Sequence, residues 1–158
     1  MMIKKVEIFF KENGIEPNAA RAEANFLVCA ASGFSIEEII TGVNIQNEDD
    51  IWNLARKRVE TKAPIQHIVG FSYFMGDKFF VTPDVLIPRP ETEILVQKSV
   101  EIVKKLAGQA IEVSAKKHGN KDVISGQNLV AQSFNILDIG TGSGCIALEI
   151  AKNLPELA

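Results

Sequence analysis

Phe134-Asn135-Ile136-Leu137-Asp138-Ile139-Gly140-Thr141-Gly142-Ser143-Gly144-Cys145-Ile146-Ala147-Leu148-Glu149-Ile150-Ala151 runs from a short apolar stretch ending in an acid, through three alternate glycines, into an apolar pattern of helical period. That order predicts the strand, turn and helix that open a nucleotide-binding α/β domain. A ligand must approach the backbone where the strand turns into its helix, and residues without a β-carbon permit both the tight turn and the approach. The spacing is Gly-x-Gly-x-Gly. A dinucleotide fingerprint wants its third glycine one position later, where Cys145 stands, and a phosphate-cradling loop needs a Gly-Lys-Ser/Thr ending that is absent. A plain structural hinge is the bland reading, and Asp138, two residues before the first glycine, favours a cofactor loop over it. The chemistry of such a domain is expected later in a chain, and only fourteen residues follow Gly144.

Working outward, 158 residues suffice for one ordinary domain or two small ones, and a 46% hydrophobic content is normal for a globular protein. A formal net charge of −3 and a pI near 5.5 argue against nucleic-acid binding driven by excess positive charge. Cys29 and Cys145 sit far apart in apolar contexts, which supports neither a disulfide framework nor a zinc site; both read as small buried residues in a reducing compartment. Lys4, Lys5, Glu7, Lys11 and Glu12 interrupt the N-terminal apolar positions, so this is no signal peptide, and no apolar run approaches the ~20 residues of a membrane span. A cytoplasmic location is expected.

The first sixty or so residues read as a small helical bundle. Ile3, Val6, Phe9 and Phe10 have helical spacing and Asn13-Gly14 is a stop; a second helix starts near Pro17-Asn18, carries Ala20, Ala24, Leu27, Val28 and Ala31 on one side, and ends at Gly33. Ser35 with Glu38 is a capping-box pattern before a short helix ending near Gly42. Asn47 and Asp50 mark a fourth helix, through Ile51, Leu54, Ala55 and Val59, stopped by Ala63-Pro64. Glu48-Asp49-Asp50 reads as its acidic first turn, not a metal site.

From Pro64 the reading becomes extended. Ile65, His67 and Val69 alternate with Gln66 and Ile68, and Lys78-Phe79-Phe80-Val81-Thr82 follows a Met75-Gly76-Asp77 turn, which predicts a linking β-hairpin. His67 is expected as a packed strand residue, and Phe74, Phe79 and Phe80 as core aromatics. Trp52 reads as core before interface. In Val85-Leu86-Ile87-Pro88-Arg89-Pro90-Glu91-Thr92-Glu93, two prolines give an extended approach and then a helix start, and Ile94, Leu95, Val100, Val103 and Leu106 continue that helix. From Gly108 to Ser133 the sequence turns irregular and polar, read as a connecting segment with some helix at its start and His118 as loop.

Asp138-Ile-Gly-Thr-Gly-Ser-Gly144 resembles motif I of the class I S-adenosylmethionine-dependent methyltransferases. More specifically, Pro64-Ile-Gln-His-Ile-Val-Gly70, Phe74-Met-Gly76, Phe79-Phe-Val81 and Leu86-Ile-Pro-Arg-Pro-Glu-Thr-Glu93 resemble the peptide chain release factor glutamine N5-methyltransferases, over essentially the whole chain. The resemblance implies methyl transfer from S-adenosylmethionine to the glutamine side-chain nitrogen in the Gly-Gly-Gln motif of a release factor. The attacking nitrogen is a poor nucleophile, so positioning and water exclusion carry such a reaction. In the family an Asn-Pro-Pro-Tyr motif does this, and it does not occur here, nor does the acid that would grip the ribose from a second strand. By this reading the chain has no catalytic residue of its own and lacks activity unless more protein follows Ala158.

What carries over is cofactor binding. Gly140, Thr141, Gly142, Ser143 and Gly144 would face the methionine part of S-adenosylmethionine, and Asp138 is expected to orient that loop through hydrogen bonds. Arg89 and Thr92 are candidates for the pocket wall; the bland readings are an ion pair of Arg89 with Glu91 or Glu93, and Thr92 as a helix cap. The resulting fold expectation is α plus α/β: an all-α domain over 1–63 that recognises substrate, a linking β-hairpin over 64–83, and over 84–158 the incomplete start of a class I, Rossmann-like methyltransferase domain. If the molecule is truly this short, the expected strand at Phe134 to Asp138 lacks neighbours to pair with, and residues beyond about Gly108 are expected to be poorly ordered or held by another chain. The expected partner is a release factor, without direct nucleic-acid or membrane binding. Two alternatives stay open: a non-catalytic module whose helical domain docks a release factor, and a methyltransferase acting on a different substrate, since motif I is shared by many.

Overall fold

The structure, a computed structural model, describes residues 1–117 and 135–155. It divides into two compact units, one formed by Met1–Phe71 with Phe80–Asp84 and the other by Ser72–Phe79 with the described residues from Val85 onward.

The first unit is helical, and its punctuation follows from local chemistry. Helix α1 (Met2–Glu12) buries Met2, Ile3, Val6 and Phe10 on one side, and Gly14 follows it with φ of 84°. Helix α2 (Pro17–Ser32) opens with proline at its first position, where the missing N–H leaves nothing unsatisfied. The Glu16 carboxylate caps it, accepting the Asn18 and Ala19 N–H groups at 2.9 and 3.0 Å. Gly33 closes it in the left-handed conformation. Helix α3 (Ile36–Ile40) carries the expected capping box: the Glu38 N–H donates to Ser35 Oγ at 3.2 Å and the Ser35 N–H to Glu38 Oε2 at 2.8 Å.

Helix α4 (Glu48–Thr61) starts where expected, with three acids in its first turn. Asn47, however, does not cap it; its Nδ2 donates instead to the Ala31 carbonyl at 2.7 Å and ties the α4 entrance to the end of α2. Val6, Phe10, Ala20, Ala24, Leu27, Val28, Ile51 and Ala55 are fully buried together. Trp52 stands edge-on to Phe9, with ring centroids 5.6 Å apart, so it packs the core as expected. Truncating Leu27 to alanine in this core would cost about 2–5 kcal/mol.

The stretch read as extended after Pro64 is a helix. Residues Ile65–Val69 form α5, between Pro64 and a left-handed Gly70, with Ile65 and Ile68 buried one turn apart. Period two and period three both fit so short a run; Gly70, which closes the helix with its N–H on the Gln66 carbonyl, decides in favour of the latter. His67 is therefore helical. The hairpin is correspondingly shorter, β1 (Phe71–Phe74) pairing with β2 (Asp77–Phe80). Its two-residue turn has positive φ at both Met75 (52°) and Gly76 (88°), the geometry whose twist matches antiparallel strands. Phe74 and Phe79 enter a core; Phe80 does not and is 80% exposed, because neighbours on a strand point to opposite faces.

In the second unit, helix α6 (Thr92–Lys117) runs straight through Gly108, where the sequence suggested an irregular segment. One interior glycine costs only about 1 kcal/mol, and Ala107, Gln109 and Ala110 around it are good helix formers. His118 and the rest of the loop expected up to Ser133 lie outside the described residues. Val96, Val100 and Val103 of α6 pack with Phe74, Phe79, Cys145, Ile150 and Leu154. Leu95, Ile102 and Leu106, on another side of the same helix, are exposed.

Asn135 to Asp138 form no strand, and Phe134 lies outside the described residues. Leu137 and Ile139 are 82% and 86% exposed. Among the described residues no second strand lies beside it to complete a ladder, which is the physical reason for the missing strand. Among the described residues the sheet is the two-stranded hairpin, so a Rossmann-like sheet stays outside what is seen.

Candidate functional site

The glycine turn leads directly into helix α7 (Cys145–Lys152). Gly140, Gly142 and Gly144 have φ of 77°, 55° and 78°, while Thr141 and Ser143 between them are not left-handed. Alternation of that kind turns successive N–H groups toward a common side, as in the concavities that receive anionic or polar ligand atoms. The turn is closed by the Gly144 N–H on the Thr141 carbonyl at 2.9 Å, and α7 begins with the Leu148 N–H on the Gly144 carbonyl at 3.0 Å. Space is not what demands glycine at 142: an added Cβ would lie 3.9 Å from the Gly140 oxygen and 4.0 Å from Val85 Cγ1, ordinary contact distances. The backbone angle demands it.

Val85 was not singled out from the sequence, yet it lies against the glycine turn. The signal was its place in an apolar triplet, Val85-Leu86-Ile87, just ahead of two prolines.

Asp138 departs from its expected role. No hydrogen bond ties its side chain to the loop among the described residues, and its Oδ2 is buried without a partner. A buried acceptor left unpaired costs about 1–3 kcal/mol, so a donor brought by a ligand would be favoured there.

Arg89 and Thr92 sit at the entrance to α6, joined by the Thr92 N–H on the Arg89 carbonyl at 3.0 Å. The Arg89 side chain is exposed and, among the described residues, pairs with neither Glu91 nor Glu93. Thr92 is half-buried, and its hydroxyl makes no capping bond among the described residues. Glu93 is occupied elsewhere, its Oε1 accepting the Met75 N–H of the hairpin turn at 2.9 Å.

A second cluster escaped the sequence reading. Glu149 lies on the apolar side of α7 and is 2% exposed. Its carboxyl lies near that of Asp77 on β2, which is paired with the Lys152 ammonium. Burial, then Asp77, pushes the Glu149 carboxyl above the usual carboxylate range. The Lys152 partner, then Glu149, holds Asp77 below it, and Asp77 in turn raises Lys152. An acid among Cys145, Ile146 and Ile150 was the available signal. Among the described residues no three histidine, cysteine or carboxylate groups are placed to hold a metal ion, and no helix is long and apolar enough to cross a membrane. Cys145 is buried and Cys29 half-buried, its thiol pushed up by burial and then by Glu37.

A family-model comparison finds no match. Individual curated proteins do match. A release factor glutamine methyltransferase of Rhodopirellula baltica is 34% identical over 152 residues, 94% of this chain and 43% of its own length. The chain is a relative of the release factor glutamine methyltransferases. Another of that name, from Flavobacterium psychrophilum, is 38% identical over 105 residues, 66% of this chain and 29% of its own. A bifunctional methyltransferase of Rickettsia prowazekii is 32% identical over 149 residues, 92% of this chain and 27% of its own. The chain thus spans roughly a quarter to under half the length of these release factor glutamine methyltransferases and their bifunctional kin.

Proposed function

We propose that these residues form part of an S-adenosylmethionine-dependent methyltransferase that modifies the Gly-Gly-Gln glutamine of a translation release factor in the cytoplasm. The glycine turn Gly140 to Gly144 holds the methionine end of the cofactor, with Thr141 and Ser143 at its rim. Asp138 supplies the unpaired carboxylate oxygen that accepts from the cofactor's ammonium. Arg89 and Thr92 border the same pocket. When bound, S-adenosylmethionine supplies a methyl group activated by its sulfonium. The residues present bind and orient it; the groups that hold the substrate amide belong to the Asn-Pro-Pro-Tyr motif of the family and are not among these 158 residues. The surrounding sheet is that of a class I, Rossmann-like domain, completed by strands beyond those described.

The observation that carries this reading is the buried, partnerless Asp138 Oδ2 two residues before a turn whose three alternate glycines all have positive φ. A carboxylate so placed is poised for a cationic donor and ill-suited to a phosphate. Ultraviolet crosslinking of methyl-labelled S-adenosylmethionine to this chain, competed by S-adenosylhomocysteine, tests the binding; loss in Asp138→Asn and Gly142→Val is the expected result. Methyl transfer to a release factor, measured on the whole reading frame that contains these residues, tests the reaction. Labelling that NAD competes better than S-adenosylhomocysteine would overturn the assignment.

The helical domain over 1–63, within the first unit, is the release-factor docking domain in this proposal. A second reading, docking without catalysis, draws support from that unit's own closed core around Phe10, Leu27 and Ile51. Release-factor binding by the chain with no cofactor crosslink favours it.

A further inference from the structure

Residues 85–93 of the second unit run between two fixed points. At the start, Val85 Cγ1 lies 4.0 Å from the place a Cβ on Gly142 would take, so this end rests on the glycine turn. At the end, Glu93 in the first turn of α6 reaches back to the β-hairpin, and its Oε1 accepts the Met75 N–H at 2.9 Å. Arg89 and Thr92 lie between the two points, and Ile87 is buried on the way.

The bond from Glu93 is not the usual one for its position. An acid in the first turn of a helix ordinarily serves that helix's own N–H groups and dipole; Glu93 serves a backbone group eighteen residues earlier in the chain. The N–H it takes is one the hairpin leaves over. Met75 is the first central residue of the two-residue turn, with φ of 52°, and an N–H at that position has no place in the strand ladder. Met75 also packs against the core that Phe74 and Phe79 share with Val96 of α6, so apolar contact and the hydrogen bond act on one junction.

The other side of Glu93 is equally closed. The Thr92 N–H donates to the Arg89 carbonyl and the Glu93 N–H to the Pro90 carbonyl, both at 3.0 Å, so residues 89–93 form one tight turn. A displacement of Glu93 is therefore felt at Arg89. We infer that Glu93 is a positioning residue: by gripping the Met75 N–H it sets where the turn carrying Arg89 and Thr92 stands relative to the glycine turn, a task that needs the length of a glutamate side chain and its acceptor oxygen more than its charge. That this turn borders a cofactor pocket rests on the proposed function, whereas the grip itself is read without any ligand.

Three variants separate reach from charge. Glu93→Gln keeps the length and the acceptor but not the charge, Glu93→Asp keeps the charge but is one methylene too short, and Glu93→Ala keeps neither. In NMR hydrogen exchange of the 158-residue chain, the Met75 amide should exchange at least about tenfold faster in Glu93→Asp and Glu93→Ala, the scale of one lost hydrogen bond to an ionised acceptor. Most of that protection should return in Glu93→Gln. The Arg89 amide shift should move in the first two variants and return in the third. S-adenosylhomocysteine affinity by isothermal titration should follow the same order, about fivefold weaker in Glu93→Asp and Glu93→Ala. Met75 exchange that is unchanged in Glu93→Ala overturns the proposal. So does a Glu93→Asp chain that behaves as wild type where Glu93→Gln does not, because Glu93 then serves the dipole of α6. Equal affinity in all four chains overturns the positioning of the pocket. Absence of binding by wild type refutes the cofactor reading alone, since Met75 exchange and the Arg89 shift still decide the grip. Should Glu93→Ala not fold, the contrast of Glu93→Asp with Glu93→Gln decides.

Discussion

Arg58 on α4 grips Glu23 on α2 through two parallel hydrogen bonds, Nε to Oε2 at 2.7 Å and Nη2 to Oε1 at 2.9 Å. Both side chains are largely withdrawn from water, 15% and 17% exposed. A forked pair of that kind fixes orientation as well as distance, which lysine cannot reproduce. Removing one member leaves the other charge poorly solvated. Arg58→Ala should lose about 1–3 kcal/mol, between the values for surface and buried pairs. Arg58→Lys should recover only part of it. Urea unfolding of both variants measures the difference, and equal stability of Arg58→Ala and wild type would remove the pair from the account of how α2 and α4 are held.

Glu16 makes the entrance to α2 sensitive to acid. Its carboxylate accepts from the Ala19 and Asn18 N–H groups, which hold it below the usual glutamate range. A lowered carboxyl contributes stability above its ordinary 4.5 and gives it up as pH falls through the folded value. Glu16→Gln should therefore be less stable than wild type at neutral pH, and the gap should close in acid. Thermal midpoints at a series of pH values read this; a gap that is constant with pH would mean the charge has no part in the cap.

Lys62 ends α4 with φ of 56°, a left-handed conformation that a side chain adopts at a cost of about 1–2 kcal/mol. Its side chain is exposed, so little packing is lost with it. Glycine removes the strain but adds freedom to the unfolded chain worth about 0.4–1 kcal/mol. The strain is the larger effect, and Lys62→Gly should stabilise the chain by about 0.5 kcal/mol. A shift of the denaturation midpoint to lower urea in Lys62→Gly would contradict this.

The helical unit was legible because its signals are local. Pro17, Gly33 and the Ser35–Glu38 box act within one turn of chain, and each sits at the boundary it marks. Misreading began where two periods fit the same residues. Ile65, His67 and Val69 alternate, but Ile65 and Ile68 are also one helical turn apart, and only the packing of Ile65 and Ile68 into the helical core tells which pattern is used. Phe80 failed for the complementary reason, since composition said aromatic and strand while register alone says which face. The glycine turn was readable from backbone chemistry. The Asp138 environment, the burial of Glu149 and the Lys152–Asp77 pair were not, because burial and partnership across β2 and α7 are properties of tertiary packing.

Gly142 offers the sharpest separation of backbone from space. An alanine Cβ there would meet nothing closer than 3.9 Å, so steric exclusion predicts a tolerated change. Its φ of 55° predicts otherwise, because a side chain in that region costs about 1–2 kcal/mol and the turn can relieve the strain by abandoning its alternation. Gly142→Ala should therefore leave the helical unit's unfolding unchanged while weakening the proposed binding of S-adenosylhomocysteine about tenfold, the strain then falling on the liganded turn. Gly142→Asn, whose side chain tolerates the left-handed region, should bind more tightly than Gly142→Ala despite being larger. Isothermal titration of both variants ranks them, and binding that falls with side-chain size regardless of left-handed preference would place the constraint in the ligand's space and not in the backbone.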